Sequence, residues 1–330
     1  MKKKINMTEV ARELGLSIAT VSRAMNRPGD VSEKTRERVL KLVEARGYYP
    51  NASARDLLRG SSTILGVITP ALDREAFSAT INAIEIAAEK EALSVMVGTT
   101  DHGQSPAAGI IRRMLERRVL ALVFVGLDDE TRAMLPSLAA KDVNYVVSWD
   151  VVEPALGASI GFHDAIAAEA AMTHLLDLGH RNIGIMTGVL NTQRVRERRR
   201  GALEALSARG LSLPPDALKS DVPSYASGNR LMHELMHLTP RPTAIFAASD
   251  PMAVGAIHAA HEMGLRVPDD VSIVGFDDID VAAYTIPPLT TIRVPAAEIG
   301  EKCLDIILER GASEVIEAEL VVRASTRALR

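Results

Sequence analysis

The chain has 330 residues, 47% of them hydrophobic and 24% charged, with one cysteine and a net charge of −4. That is enough apolar material for two or three folded units and too much for a disordered chain. The longest uninterrupted apolar run, near Val119 to Val125, falls well short of the roughly 20 residues of a membrane span, and a lone Cys303 cannot form an internal disulfide.

The basic start Met1-Lys2-Lys3-Lys4 runs at once into Asn6, Thr8 and Glu9, so no secretory apolar segment follows, and the expectation is a cytoplasmic protein away from membranes. The net charge hides an asymmetry. Residues 1–60 hold 13 Lys and Arg against 7 Asp and Glu, a net of +6, while the rest holds 25 against 35, a net of −10. A small basic head on a large acidic body suits a polyanion-binding module, although basic termini are also often merely solvated.

Thr8 is a candidate N-cap, followed by Val10, Ala11 and Leu14 on one helix face, and Gly15 supplies the left-handed turn that ends the helix. Ser17 caps a second helix, 18–26, with Val21, Ala24 and Met25 inward. A third opens at Ser32 and runs to about Arg46, with Val39, Leu42 and Val43 inward. Two short helices around a glycine turn describe a helix-turn-helix. The outward face of the second carries Ile18, Ala19, Ser22, Arg23 and Asn26. These short or hydrogen-bonding side chains suit close approach to base edges and phosphates in a major groove, the alternative being a helical bundle with no ligand.

Pro50 then ends the preceding element, and Asn51 offers a cap to a segment, 52–60, too short for a stable isolated helix. Taken alone, this stretch is a tether. Beyond it, apolar runs at 64–69, 93–98, 119–126, 143–148, 183–187, 243–248 and 271–276 alternate with helical patterns near 77–91, 105–117, 130–140, 164–179, 194–209, 225–238, 250–263 and 295–310. Near-continuous Val and Ile strands separated by helices predict an α/β fold with parallel sheets covered on both faces. The body's length exceeds one comfortable doubly wound core, which predicts two lobes.

The strings Met7-Thr8-Glu9-Val10-Ala11, Gly15-Leu16-Ser17, Thr20-Val21-Ser22-Arg23, Asn26, Val31-Ser32, Thr35-Arg36 and Gly47-Tyr48-Tyr49-Pro50-Asn51 resemble, in order and spacing, the LacI/GalR family of bacterial transcription repressors. In the body, Leu178-Gly179-His180-Arg181-Asn182-Ile183-Gly184, Arg241-Pro242-Thr243-Ala244, Asp250-Pro251-Met252-Ala253, Val274-Gly275-Phe276-Asp277-Asp278 and Pro287-Pro288-Leu289-Thr290-Thr291-Ile292 extend the likeness over essentially the whole chain.

The resemblance implies a head over 1–49, a hinge helix or linker over 50–60, and a periplasmic-binding-protein-like body over 61–330. Its N-lobe would take about 61–162 and 293–321 and its C-lobe about 163–290 and 322–330. It implies Ile18, Ala19 and Arg23 as base-reading residues, and Thr20, Ser22, Asn26, Ser32 and Thr35 on phosphates. Ala54 and Leu57 would lie at the minor groove, where an apolar wedge unstacks a base step. The implied partners are double-stranded operator DNA, a second copy of the chain, and a sugar-like effector in the interlobe cleft. Arg198 and Asp277 match the family's polar anchors, with Phe77, Trp149 and Ser249 as further lining. Ser249 stands where the family often has asparagine. Trp149, the only tryptophan, suits either a ligand-stacking face or the core. No leucine-heptad tail is visible, so a homodimer is expected rather than a tetramer.

The run Arg194, Arg196, Arg198, Arg199, Arg200 reads either as a solvated face or as positive charge for an acidic effector. His233-Glu234-Leu235-Met236-His237 spells the H-E-x-x-H zinc-hydrolase pattern, but its polar residues share one face opposite Leu231, Met232, Leu235 and Leu238, and no third ligand is in view. No P-loop, dinucleotide fingerprint or nucleophile elbow is present. The expectation is therefore a regulator with no catalytic residues, cofactor or metal. A solute-binding protein without DNA activity is the main alternative, and a zinc hydrolase the remote one.

Overall fold

The computed structural model describes residues 6–26, 28–48, 62–100, 105–189 and 192–329, without the side chains of Asn26 and Pro28. The chain divides into two compact units, Met1–Ser62 and Thr63–Arg330.

The first unit has three α-helices among its described residues, α1 (Met7–Leu14), α2 (Ile18–Asn26) and α3 (Glu33–Ala45). The cap of α1 is Asn6 rather than Thr8. The Asn6 side chain accepts the Glu9 N–H at 2.9 Å while the Glu9 carboxylate accepts the Asn6 N–H at 3.1 Å, a reciprocal box that Thr8, already inside the first turn, has no partner to form. Gly15, at φ 67°, ends the helix and lets the Leu16 N–H reach the Ala11 carbonyl. Ser17 accepts the Thr20 N–H at 3.0 Å and Ser32 accepts the Thr35 N–H at 3.3 Å, so α2 and α3 start where hydroxyls satisfy their first amides. Val10, Ala11, Val21, Ala24 and Val39 form a small core, with Met25, Leu42 and Val43 packed against it.

The second unit holds two six-stranded sheets. In the first lobe, β1 (Ile64–Thr69), α4 (Glu75–Lys90), β2 (Ser94–Thr99), α5 (Ala107–Glu116), β3 (Ala121–Val125), α6 (Asp129–Ala139), β4 (Tyr145–Trp149) and β5 (Ala158–Gly161) wind in succession. In the second, α7 (Asp164–Asp177), β6 (Ile183–Thr187), α8 (Gln193–Ala208), β7 (Leu218–Ser220), α9 (Tyr225–Met236), β8 (Ala244–Ala247), α10 (Asp250–Glu262), β9 (Ser272–Asp277) and β10 (Thr290–Arg293) do the same. The chain then returns as α11 (Ala296–Ile307) and β11 (Glu314–Val315), and crosses once more to β12 (Glu319–Val321). The strand orders are β11-β5-β4-β3-β1-β2 and β12-β10-β9-β8-β6-β7. All pairs are parallel except β10 with β12.

That antiparallel pair moves a boundary. Thr291–Arg293 and Glu319–Val321 belong to the second sheet, not to a first lobe spanning 293–321, and the last crossing lies between Val315 and Glu319. A three-residue strand shows no period of its own; the open edge of β10 recruits it. In β1, β3 and β4, near-continuous apolar runs become strands buried on both faces, as a sheet covered by helices requires. Helices α7 and α8 pack closely because Gly201 has no side chain: a Cβ there would lie 1.9 Å from the Ala165 carbonyl oxygen. Cys303 is buried on α11, and burial pushes its thiol up to about 12.

Candidate functional site

In the first unit, α2 turns Val21 and Ala24 into the core and leaves Ile18, Ala19 and Arg23 exposed; Ile18 is 47% accessible although it is a large aliphatic side chain. Thr20 is half-buried, its hydroxyl 2.8 Å from that of Ser17. Ser22 is likewise half-buried on α2. Ser32 and Thr35, their hydroxyls 2.9 Å apart, mark the N-terminus of α3, the positive end of the helix dipole. One helix thus presents one cation and short side chains, and the next presents two hydroxyls at its N-terminus. The side chain of Asn26, and Ala54 and Leu57 entirely, lie outside the described residues.

In the second unit, a cavity of about 340 Å³ opens between the lobes. Its wall comes from the carboxyl ends of parallel strands: Arg74 and Phe77 after β1, Trp149 closing β4, Arg194 and Arg198 on α8 after β6, Ser249 after β8, and Asp277 closing β9. This is where an open α/β sheet leaves space, because successive connections depart in different directions.

Arg198 is the best-tied group. It is 7% exposed, donates from Nε to Asp164 at 2.6 Å, and from Nη1 to the Ala248 carbonyl at 2.8 Å and to Asp277 at 3.1 Å. Its guanidinium also lies 3.6 Å from the Phe276 ring centre. Burial raises the carboxyl of Asp277 above the ordinary range, against the pull of Arg198 and Arg194. Burial likewise pushes Asp164 up to about 6 despite the adjacent Arg198. Asp277, Asp278 and Trp149 all hold positive φ, at 120°, 55° and 74°. Such backbone strain in non-glycine residues gathers at sites that need a fixed side-chain direction.

Phe77, Trp149, Arg198, Ser249 and Asp277 therefore all line one cavity. Trp149 does so as buried floor: it is 1% exposed, donates its indole N–H to Thr80 at 3.0 Å, and meets Phe77 edge-on at 5.1 Å. The core role outweighs an open stacking face. The Ser249 hydroxyl is buried without a hydrogen-bond partner among the described residues. Two further arginines line the cavity: Arg74, which the sequence does not mark, and Arg194, which it marks only within the arginine run that reads as a solvated face or as charge for an acidic effector. For Arg194 a signal existed: Arg194, Arg198, Gly201, Ala202 and Ala205 recur at helical spacing with small residues, which marks the inward stripe of α8. Of the five-arginine run, two thus line the cavity, while Arg196 forms two 2.8 Å hydrogen bonds to Asp129 of the opposite lobe and Arg200 pairs with Glu197 and Glu204. For Arg74, a single arginine in a loop, no pattern existed.

The zinc-hydrolase pattern is otherwise engaged. Glu234 pairs with Arg230 and, at 3.4 Å, with Lys219; His237 closes α9 with Nδ1 2.6 Å from the His233 carbonyl. No helix among the described residues is long and apolar enough to cross a membrane.

Residues 6–51 match the family described as bacterial regulatory proteins, lacI family, and residues 172–328 match the periplasmic binding protein-like domain. The chain is 31% identical to the HTH-type transcriptional repressor CytR of Escherichia coli (strain K12), over 98% of this chain and 96% of that one. It is 32% identical to the ribose operon repressor of Haemophilus influenzae, over 92% and 91% of the two. Among solved structures, the lac repressor dimer bound to operator and the anti-inducer ONPF superposes with a TM-score of 0.84 at 29% identity, covering 99% of this chain and all of that one. With a three-helix head, two lobes of parallel sheet and relatives that are transcriptional repressors over nearly its whole length, this chain belongs to the LacI family of bacterial regulatory proteins.

Proposed function

We propose that the chain is a DNA-binding transcriptional repressor, acting as a homodimer on double-stranded operator DNA and controlled by a small sugar-like effector in the interlobe cavity. The observation that carries this reading is the outer face of α2, where Ile18, Ala19 and Arg23 stand exposed on a helix too sparsely charged for an ordinary solvated face. These three read base edges in the major groove; Thr20, Ser22, Asn26, Ser32 and Thr35 hold phosphates, which fix register without specifying sequence. Residues 50–60 act as the hinge, with Ala54 and Leu57 at the minor groove. Two heads related by a two-fold axis match a near-palindromic site.

In the body, Phe77, Trp149, Arg198, Ser249 and Asp277 contact the effector. Asp277 faces the cavity while tied to Arg198, so a ligand hydroxyl bonded there meets a pre-oriented acceptor. An effector acts only by preferring one arrangement of the lobes. Three interlobe contacts set that preference: Arg196 with Asp129, Arg194 with Asp150 at 3.6 Å, and the Tyr225 hydroxyl with Glu75 at 2.8 Å.

Selection of sites by the full-length protein from a random duplex library at low salt tests the reading. A partly palindromic consensus is expected. Arg23→Ala relaxes base preference at one position of each half-site, whereas Ser22→Ala weakens all sequences about equally. No preference over random duplex would overturn the proposal and leave a solute receptor.

A further inference from the structure

We infer that the effector carries an anionic group, a carboxylate or a phosphate, bound by Arg74 and Arg194 in the interlobe cavity. The inference rests on the effector reading above and names the chemical class.

Three arginines line the cavity, and their commitments differ. Arg198 is matched by Asp164 and Asp277. Among the described residues Arg194 has one ion pair, with Asp150 at 3.6 Å, besides the through-space pull it exerts on Asp164 and Asp277; the Asp150 carboxylate already accepts from Arg132 at 2.6 Å and from the Leu127 N–H at 3.0 Å. One buried carboxylate thus serves two guanidiniums, and the buried Nε of Arg194 has no hydrogen-bond partner. The Arg194 guanidinium instead stacks on Phe77, 4.8 Å from the ring centre. Arg74 is half-buried beside the first turn of α4, where its carbonyl accepts the Ser78 N–H at 2.9 Å, and its guanidinium makes no hydrogen bond or ion pair among the described residues. Burial, and then the neighbouring charge of Arg194, lower its pKa by more than the charges of Asp277 and Asp73 raise it.

The nearby carboxylates act on Arg74 through space without pairing with its guanidinium. Glu75 is held by the Tyr225 hydroxyl at 2.8 Å, and Asp73 is exposed. Opposite, the buried and unpartnered Ser249 hydroxyl offers one more donor. A neutral polyol would fill the space and leave both guanidiniums unmatched. A carboxylate or phosphate accepts from both forks at once, in the geometry guanidinium favours.

Trp149, the only tryptophan, forms the cavity floor, so its fluorescence in the full-length protein reads occupancy. The probes are gluconate, glucose 6-phosphate and inorganic phosphate, against neutral glucose. At least one anionic probe is expected to bind more tightly than glucose, gluconate against glucose 6-phosphate separating the carboxylate from the phosphate source. Arg74→Gln and Arg194→Gln should each weaken that binding by about 10-fold or more, Arg74→Lys less, and Arg199→Gln, outside the cavity lining, not at all. The charge preference of the unmodified protein is read without any variant, so a variant that fails to fold leaves the test intact. Equal or tighter binding of glucose, no response to any anionic probe, or anion binding indifferent to both Gln variants would overturn the inference. Operator release by a neutral ligand would do so while leaving the repressor reading standing; absence of operator binding would sink that reading instead.

Discussion

In the head, Ile18, Ala19, Thr20, Ser22 and Arg23 come from one nine-residue helix, whereas the cavity of the body draws Arg74, Trp149, Arg198, Ser249 and Asp277 from five separate strand ends and the segments that follow them. The head needs only that three helices start in the right places and turn one apolar face inward. Its means are local: side-chain caps at Asn6, Ser17 and Ser32, a glycine turn and five buried side chains. The body needs two sheets to bring distant junctions together, and holds the result with buried ion pairs. A local site tolerates damage elsewhere in the chain; a convergent site depends on every element that builds it.

The largest effect expected from breaking this contrast is at Arg198. Arg198→Ala leaves Asp164 and Asp277 buried without their shared cation and should cost the body about 3–5 kcal/mol, read by urea unfolding through Trp149 fluorescence, which reports the body alone. The loss should shrink near pH 5, where Asp164 takes up a proton more readily, its pKa lying at about 6. A loss that spread equally to head helicity would refute the independence of the two units.

Asp250 sharpens the same point through pH. It is buried, accepts from the Thr291 hydroxyl at 2.5 Å and the Ile279 N–H at 2.9 Å, has no cation partner among the described residues, and burial raises it to about 7. Because the folded state binds this proton more tightly than the unfolded chain, its contribution to stability is present at low pH and is lost as pH rises from about 4 to about 7. The slope is at most about 1.4 kcal/mol per pH unit for one proton. Asp250→Asn should flatten it in the body's unfolding profile; an unchanged slope would assign the titration elsewhere.

Gly201→Ala should cost the body about 1–3 kcal/mol, since the new methyl meets the Ala165 carbonyl oxygen and must push α7 from α8. Arg194 and Arg198 ride on α8, and Arg194 lies over the Trp149 ring, so Trp149 fluorescence of the folded variant should shift as well. The smallest effect belongs to the head: Ser32→Ala removes the cap of α3 and should cost about 1 kcal/mol, seen as faster hydrogen exchange in the first turn of α3 with no change in body unfolding.

Much of this was legible in the residue order. The strands expected at 64–69 and 183–187 form with those bounds, because apolar runs between turn residues leave few alternatives. Asn6 was missed as a cap because Thr8 carries an equally good oxygen nearer the first apolar residue; only the return bond from Glu9 decides between them. Strands β5, β7 and β11, of four, three and two residues, are too short to carry a period and exist because an edge was waiting for them.

The sequence by itself determined the three-helix head and the alternation that makes two α/β lobes, since each is written in local spacing; the family likeness singled out Arg198 and Asp277 as anchors, and their pairing across 79 residues came only with the fold. Tertiary structure alone decided that Trp149 is buried floor, that Arg74 turns toward the cavity, and that β12 joins the second sheet. The physical reason is that burial, counter-charge and edge pairing depend on which distant segments meet. A side chain's partners across a fold are set by topology, and no window along the chain contains them.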